Sequence, residues 1–522
     1  MNPALFDTAA EADGLPRLNT RNLQIEASVL KKVPVRAVVR FRILPVAVKG
    51  ETLLLATDHE RSAGEIAELN VLMDRPIDWV LCGASELTQL ISHFYGLGLD
   101  AYLRWMDQSS GEGSDAINGE PPGIRAFIDE ILREAVAIQA SDIHLEPTRD
   151  NLIARFRIDG VLHDIPLPQG IGAFRKAVVS SLKVMANLDL ADRRLPQDGR
   201  FEKRMAGGQL DIRVSVLPTR DGETLALRLL NRSDTFLGLH ELGLPEMQRQ
   251  QLDRLIQRPH GLVLFTGPTG SGKTTSQYAV LDEANNRQRK IITLEDPVEY
   301  QIPGITQLQV QSGIGFTFAQ GFRSVLRHDP DIILVGEIRD DETAGIAVSA
   351  ALTGHLVLST LHTNDSVSAA TRLIDMGIEP YLVASSLEGV ISQRLVRLLC
   401  PQCRRAHALD SGMQDEGLPH MPPLTAESRI WEAQGCPSCR FTGYRGRVAL
   451  FEILELSDAL RSLVAKRVAS PRLYQVALEH GMIPLRSAGW HQVLQGRTTL
   501  GELLRTTSDI SPRRAGMSAV SS

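Results

Sequence analysis

No apolar run in this 522-residue chain approaches the ~18–20 residues needed to span a bilayer. The opening stretch MNPALFDTAAEADGLPRL carries acids and lacks a basic-then-apolar pattern, so it does not read as a secretory signal. Basic excess is missing too: the net charge is −6, which gives no general case for binding nucleic acid. Cysteine is sparse, at five residues, and suits a reducing compartment better than a disulfide scaffold. Hydrophobic content of 43% and charged content of 23% are ordinary for a globular protein. These absences place the chain in the cytosol, or on a membrane through another component, with no nucleic acid expected as a partner. Its length suggests about three or four domains.

Residues 1–97 read as one small unit. FRILPVAVKGETLLLAT gives two apolar strands around a Lys49-Gly50-Glu51 turn, and SELTQLISHFYG has helical spacing that stops at a glycine. The lone Cys82 reads as a small buried apolar residue. DQSSGEGSDAINGEPP, residues 107–122, cannot bury a core, and 98–122 is assigned as a flexible linker. Ile124, Phe127, Ile128, Ile131, Leu132, Ala135 and Val136 then recur at three- and four-residue spacing, which predicts a helix. Strands in NLIARFRIDGVL and LDIRVSVLP follow, giving a helix–strand domain over 123–235. A nucleotide-binding domain is assigned to 236–395, a cysteine module to 396–450, helices to 451–505 and a disordered tail to 506–522.

Gly267-Pro268-Thr269-Gly270-Ser271-Gly272-Lys273-Thr274 matches G-x-x-x-x-G-K-[ST], with Thr275 following. The glycines let successive N–H groups face a phosphate. Lys273 supplies positive charge near the β and γ phosphates, and the Thr274 hydroxyl can ligate Mg²⁺. GLVLF before the loop reads as a strand, and the residues after it open a helix whose N-terminus favours anions. A nucleoside triphosphate and Mg²⁺ are therefore the expected ligands.

Hydrolysis needs acids at the carboxyl ends of neighbouring strands. KIITLEDPVEY puts Glu295 and Asp296 after one apolar strand, and DPDIILVGEIRDDE puts Glu337 after another. Gly336 stands where many P-loop enzymes have an aspartate, leaving Glu337 as the expected catalytic acid and Glu295 or Asp296 as support for the metal. In TGHLVLSTLHTNDS a third strand is flanked by His355 and His362; spacing alone leaves both open between a structural role and sensing the γ-phosphate.

The motifs SDIHLEP, RLPQDGR, GPTGSGKTT, LEDPVEY, RHDPDIILVGEIRD, TGHLVLSTLHTNDS and SQRLVRLLCPQC occur in that order. Together they resemble the ATPases of the type II secretion and type IV pilus superfamily over about 35–505, most nearly the type II secretion branch. The resemblance implies an α/β multidomain fold: a RecA-like P-loop core preceded by an α+β, PAS-like domain and a small N-terminal α+β domain. It implies a homohexamer that hydrolyses ATP to drive pseudopilus assembly and protein export. It makes Glu295 the acid of its Asp box, Glu337 that of an atypical Walker B, and His355 and His362 part of a His box. By position it makes Arg155, Arg157, Arg194 and Arg200 candidates for reaching the phosphates. The N-terminal domain would dock on the cytoplasmic part of an inner-membrane component, and the motor would act on an inner-membrane platform protein. Pilus extension or DNA uptake with the same chemistry is the alternative, and a nucleotide-binding scaffold without hydrolysis is a second.

The remaining cysteines form two C-x-x-C pairs, Cys400/Cys403 and Cys436/Cys439. Two pairs close a tetrahedral Zn²⁺ site with no open position, which points to a structural metal. Arg394, Arg397, Arg404, Arg405, Arg440, Arg445 and Arg447 surround them, as a basic face for anionic lipid or an acidic partner, or as solvated surface.

Overall fold

The computed structural model describes residues 15–21, 23–109, 122–205, 208–231, 237–408 and 428–507. Contacts divide the chain into two units: Met1–Asp234 with Cys400–Arg404 and Ala433–Arg445, and Thr235–Leu399 with Arg405–Glu432 and Gly446–Ser522. The tail 508–522 and residues 110–121 of the expected linker lie outside the described residues.

The first unit opens on a three-stranded sheet. Leu44–Lys49 pairs antiparallel with Thr52–Thr57 across the expected turn, and Ile77–Leu81 joins the latter in parallel. Helix Ala84–Tyr95 packs Leu87 and Leu90 into its core. Cys82 is 6% exposed, and burial pushes its thiol up to about 12, as suits an inert packing residue. Residues 99–109, expected as linker, instead form helix Leu99–Ser109. Its Ala101, Tyr102 and Trp105 enter the same cluster as Ile124, Phe127 and Ile131 of helix Pro122–Ala137. The physical reason is that an apolar face at helical spacing outweighs the polar residues beside it. Six antiparallel strands complete this unit in the order Val161–Ile165, Leu152–Ile158, Ala140–Pro147, Gly222–Asn231, Gly208–Thr219, Gln197–Met205. One face buries Ile143, Phe156, Val214 and Leu227 with helix Arg175–Met185, at about 1.5–3 kcal/mol per side chain.

The second unit is built on a seven-stranded sheet in the order Thr306–Gln309, Ile291–Glu295, Ile332–Val335, Leu356–Leu361, Gly261–Thr266, Leu387–Leu399, Tyr444–Glu455. The first six run parallel to one another. Gly261–Thr266, Ile332–Val335 and Leu356–Leu361 are buried at every position, as strands covered on both faces must be. Alternation decides the face: Leu262 and Leu264 enter one core cluster, Val263 and Phe265 the other. The expected boundaries at 395 and 450 cut through Leu387–Leu399 and Tyr444–Glu455, which both belong to this sheet. The cysteine module is thus an insertion between two sheet strands.

Helices Asp458–Ala465, Ser470–Glu479, Leu485–Leu494 and Leu500–Thr506 follow. Glu502, 2% exposed, accepts from Arg397 Nη2 at 2.9 Å and Arg505 Nη2 at 2.7 Å. Burial pushes its carboxyl up, but these bonds outweigh it and hold it at about 2 against an ordinary 4.5. A depressed carboxylate contributes stability that is present above its unfolded pKa and is lost as pH falls through the folded one. Glu502→Gln is therefore expected to cost ~3 kcal/mol at neutral pH. Thermal melts should show the deficit shrinking from pH 4.5 towards about 2. Among the described residues, no helix is long and apolar enough to cross a membrane.

Candidate active site

The phosphate loop leaves the buried strand Gly261–Thr266 and enters helix Lys273–Ala284. Gly267 takes φ 142°, and a Cβ there would meet Gln393 O at 2.6 Å. Only glycine meets both demands. Gly267→Ala should therefore cost the loop ~1–3 kcal/mol, read as roughly tenfold to hundredfold weaker binding of a fluorescent ATP analogue. Lys273 Nζ donates to the loop's own carbonyls, Gly267 O at 2.8 Å and Pro268 O at 3.0 Å. Burial and the nearby Arg394 guanidinium lower its pKa, while Glu337 opposes them. Ser271 Oγ, Gln277 Nε2, Ser392 Oγ and Gln393 Oε1 are buried without a hydrogen-bond partner among the described residues. Buried polar atoms cost free energy when unpaired, so this cluster fits a loop completed by a polar ligand or water. Lys273 and Thr274 are the residues that would hold a triphosphate and its Mg²⁺.

A crevice of about 570 Å³ lies over the loop, within the range of ligand pockets. Thr269, Gly270, Gly272, Lys273, Thr274 and Thr275 line one side. Parallel strands bring Glu295, Asp296, Glu337 and His362 to the other. Glu337 is fixed by its neighbours: Thr360 Oγ1 donates to Gly336 O at 2.8 Å and Ile338 N to Thr360 O at 3.0 Å. Its Oε1 meets Arg339 Nη2 at 2.5 Å, and its Oε2 lies 3.5 Å from His362 Nε2. Burial raises the Glu337 pKa, but Arg339 and His362 outweigh it and hold the carboxyl below its ordinary value.

Glu295 is placed differently. It is 4% exposed and accepts from Tyr278 OH, from Thr293 Oγ1 at 2.6 Å and from Gln307 Nε2 at 3.1 Å. Asp296, the next residue, is exposed and lines the crevice.

His355 does not reach the crevice. It sits at the amino end of Leu356–Leu361, where Nδ1 lies 3.1 Å from Ala350 O, closing off helix Asp341–Leu352. A six-residue strand spans ~20 Å, so His355 lies at the amino ends and His362 at the carboxyl ends of the parallel strands. Tyr278, Gln307, Arg339 and Arg447 emerge as site neighbours that motif reading missed. Arg339 had a legible signal, since it stands two residues from Glu337; Tyr278 lies on the phosphate-loop helix itself, whereas Gln307 and Arg447 come from other segments.

The four candidate arginines belong to the first unit. Arg155 Nη2 bonds Glu146 at 2.5 and 2.7 Å, and Arg157 Nε lies 3.6 Å from Asp142. The Arg194 side chain is 92% exposed, and Arg200 is exposed on Gln197–Met205.

The four cysteines Cys400, Cys403, Cys436 and Cys439 are buried, and their sulfur atoms all lie within 4.8 Å of one another. Cys400–Cys436, Cys403–Cys439 and Cys436–Cys439 measure 3.9, 3.8 and 3.8 Å between sulfurs. A tetrahedral ion with ~2.3 Å metal–sulfur bonds sets sulfurs about 3.8 Å apart, so the tetrad fits zinc. Gly435 N and Gly443 N donate to Cys403 Sγ and Cys439 Sγ at 3.3 and 3.2 Å, an outer shell that suits thiolates. Of the arginines around the cysteines, left open between a basic face and solvated surface, at least three have partners. Arg397 pairs with Glu502, Arg440 with Glu134 at 3.1 Å, and Arg394 donates to Asn364 O at 2.7 Å. These guanidiniums are used within the fold.

Comparison with known proteins agrees with the geometry. The family model described as Type II/IV secretion system protein matches residues 119–505, and that of the MshEN domain matches 14–101. The chain is 45% identical over 428 residues to the type II secretion system protein E of Dickeya dadantii (strain 3937), covering 81% of this chain and 84% of that one. It is 39% identical over 519 residues to the type IV pilus assembly ATPase PilB of Myxococcus xanthus (strain DK1622), covering 97% and 91%. Among solved structures, the Legionella pneumophila ATPase DotB shares its fold with a TM-score of 0.52 and 22% identity, over 72% of this chain and 94% of that one.

Proposed function

Since the chain belongs to the family of type II/IV secretion system proteins, we propose that it is a motor ATPase of type II secretion, hydrolysing ATP to drive pseudopilus assembly and protein export. The observation that carries this reading is a single crevice holding a phosphate loop with its lysine and, facing it, a carboxylate kept ionised by an arginine and a histidine. Lys273 and the loop amides bind the β and γ phosphates, and Thr274 offers its hydroxyl to Mg²⁺. Bound Mg²⁺ would neutralise charge on the phosphates. Glu337 orients the attacking water and accepts its proton, while His362 steadies the carboxylate. Arg155, Arg157, Arg194 and Arg200 are candidates for completing the site in a hexamer, where a guanidinium would offset charge on the γ-phosphoryl group. The N-terminal domain is the candidate tether to an inner-membrane component, with a platform protein as the driven partner. Cytoplasmic placement at the inner membrane follows from that assembly.

The test is phosphate release by the purified protein, with and without the cytoplasmic domain of the inner-membrane component encoded beside it. Turnover raised by that domain supports a coupled motor; ATP binding with no turnover in any oligomeric state would leave only a scaffold. A second reading, pilus assembly, is favoured by the match to PilB across 97% of the chain. A deletion strain separates the two: loss of secreted enzymes supports the first, and loss of surface pili with normal secretion supports the second.

A further inference from the structure

Tyr278 is the largest fully buried side chain among the described residues, five residues along the helix from Lys273. Its hydroxyl donates to Glu295 Oε2 and accepts from Glu299 N at 3.3 Å. Burial, then the bond to Glu295, raises its pKa, so the phenol stays a donor. On the other carboxylate oxygen, Gln307 Nε2 donates at 3.1 Å and also to Tyr300 O at 3.1 Å, while Gln307 Oε1 accepts from Ile302 N at 2.8 Å. The Tyr278 and Tyr300 rings meet edge to face at 4.6 Å. Glu295 therefore has both oxygens occupied, and the segment after it is stitched to its carboxylate from two sides. That segment carries Asp296 and Glu299, both exposed and both lining the crevice.

We propose that Tyr278 and Gln307 are positioning residues for hydrolysis: through Glu295 they lock the segment 296–302 onto the phosphate-loop helix, so that Asp296 and Glu299 face the crevice in one arrangement. The inference rests on the hydrolytic reading above. Its logic is that a carboxylate satisfied by three donors anchors well, whereas the exposed acids beside it remain available to the hydration shell of a metal. It differs from a role in which Glu295 alone supports the metal.

Tyr278→Phe keeps the ring and removes the hydroxyl. A hydrogen bond to a charged group is worth roughly a tenfold or greater effect, so turnover at saturating MgATP should fall at least about tenfold, with KM within about twofold. Hydrogen exchange over 296–302 should rise, with the rest of the sheet unchanged. In a Glu295→Gln background, single-turnover hydrolysis should show less than about twofold further loss on adding Tyr278→Phe. Gln307→Glu, which places a like charge beside Glu295, should reproduce the exchange change. Unaltered turnover, the same loss in both backgrounds, or unaltered exchange over 296–302 would each overturn the proposal. The exchange arm needs no catalysis, so it decides the matter even if the protein does not hydrolyse ATP and the functional reading fails.

Discussion

Glu337→Gln is expected to lower steady-state phosphate release by about two to four orders of magnitude while leaving ATP binding within about threefold of wild type. The split follows from the geometry. Binding resides in the loop 267–274, whose glycines, Lys273 and helix N-terminus this substitution does not touch. Glutamine keeps the size of the side chain and can still receive Arg339 on its carbonyl oxygen, which now stands 2.5 Å from Glu337. What it loses is a base. The wild-type carboxyl is held below its ordinary value, so it is an anion throughout the neutral range and loses this form only as pH falls into the acid range. Lys273→Ala should behave in the opposite way, with binding of a labelled nucleotide falling first. Phosphate release and nucleotide titration on the two variants, each at one fixed ionic strength, separate the roles. A Glu337→Gln protein that keeps more than half of wild-type turnover would remove Glu337 from the reaction and return attention to Asp296 and Glu299.

The phosphate loop, the strand that leads to Glu337 and each C-x-x-C pair could be read because each is a short run of adjacent residues, although only the fold brings the two cysteine pairs together. Other parts were not, for specific reasons. The linker reading absorbed residues 99–109 since a Ser-, Gly- and Pro-rich stretch follows them directly; the helix there exists because Tyr102 and Trp105 find Phe174, at 5.7 and 4.7 Å between rings, far along the chain. His355 and His362 look equivalent on paper, flanking one strand. A strand is straight, so flanking it means lying at opposite ends of the parallel strands, and only the carboxyl end, which carries the loop, matters. Tyr278 and Gln307 left no local signal, because each is an ordinary residue until it meets Glu295. The arginines near the cysteines looked like one charged face, yet acids from distant segments, Glu134 and Glu502, take two of them. Contiguous chemistry can be read from a chain, whereas long-range pairing has to be seen.

Stripping zinc should affect stability more than any single substitution considered above. Four buried sulfurs crowd one another without a cation: burial, with the neighbouring Cys439 and Cys400, pushes the Cys436 thiol up to about 11, and a cation at the centre reverses that preference. Around them, Cys400–Arg404 and Ala433–Arg445 include the four cysteines but little apolar core beyond them. In small zinc folds the apparent binding free energy is of order 10–16 kcal/mol, comparable to the whole stability of a domain at about 5–15 kcal/mol. Metal loss should therefore unfold the module outright instead of merely loosening it. The seven-stranded sheet closes on its own apolar clusters and should persist. Purified protein should carry one zinc per chain by elemental analysis, and a strong chelator should release it together with four newly reactive thiols. Cys436→Ser should lower the zinc content, whereas Cys82→Ala should leave it unchanged and cost only about 1 kcal/mol. If metal-free protein instead kept its melting temperature and shielded its thiols, the tetrad would be a packing cluster, and the backbone donors at Gly435 and Gly443 would then have no thiolate to serve.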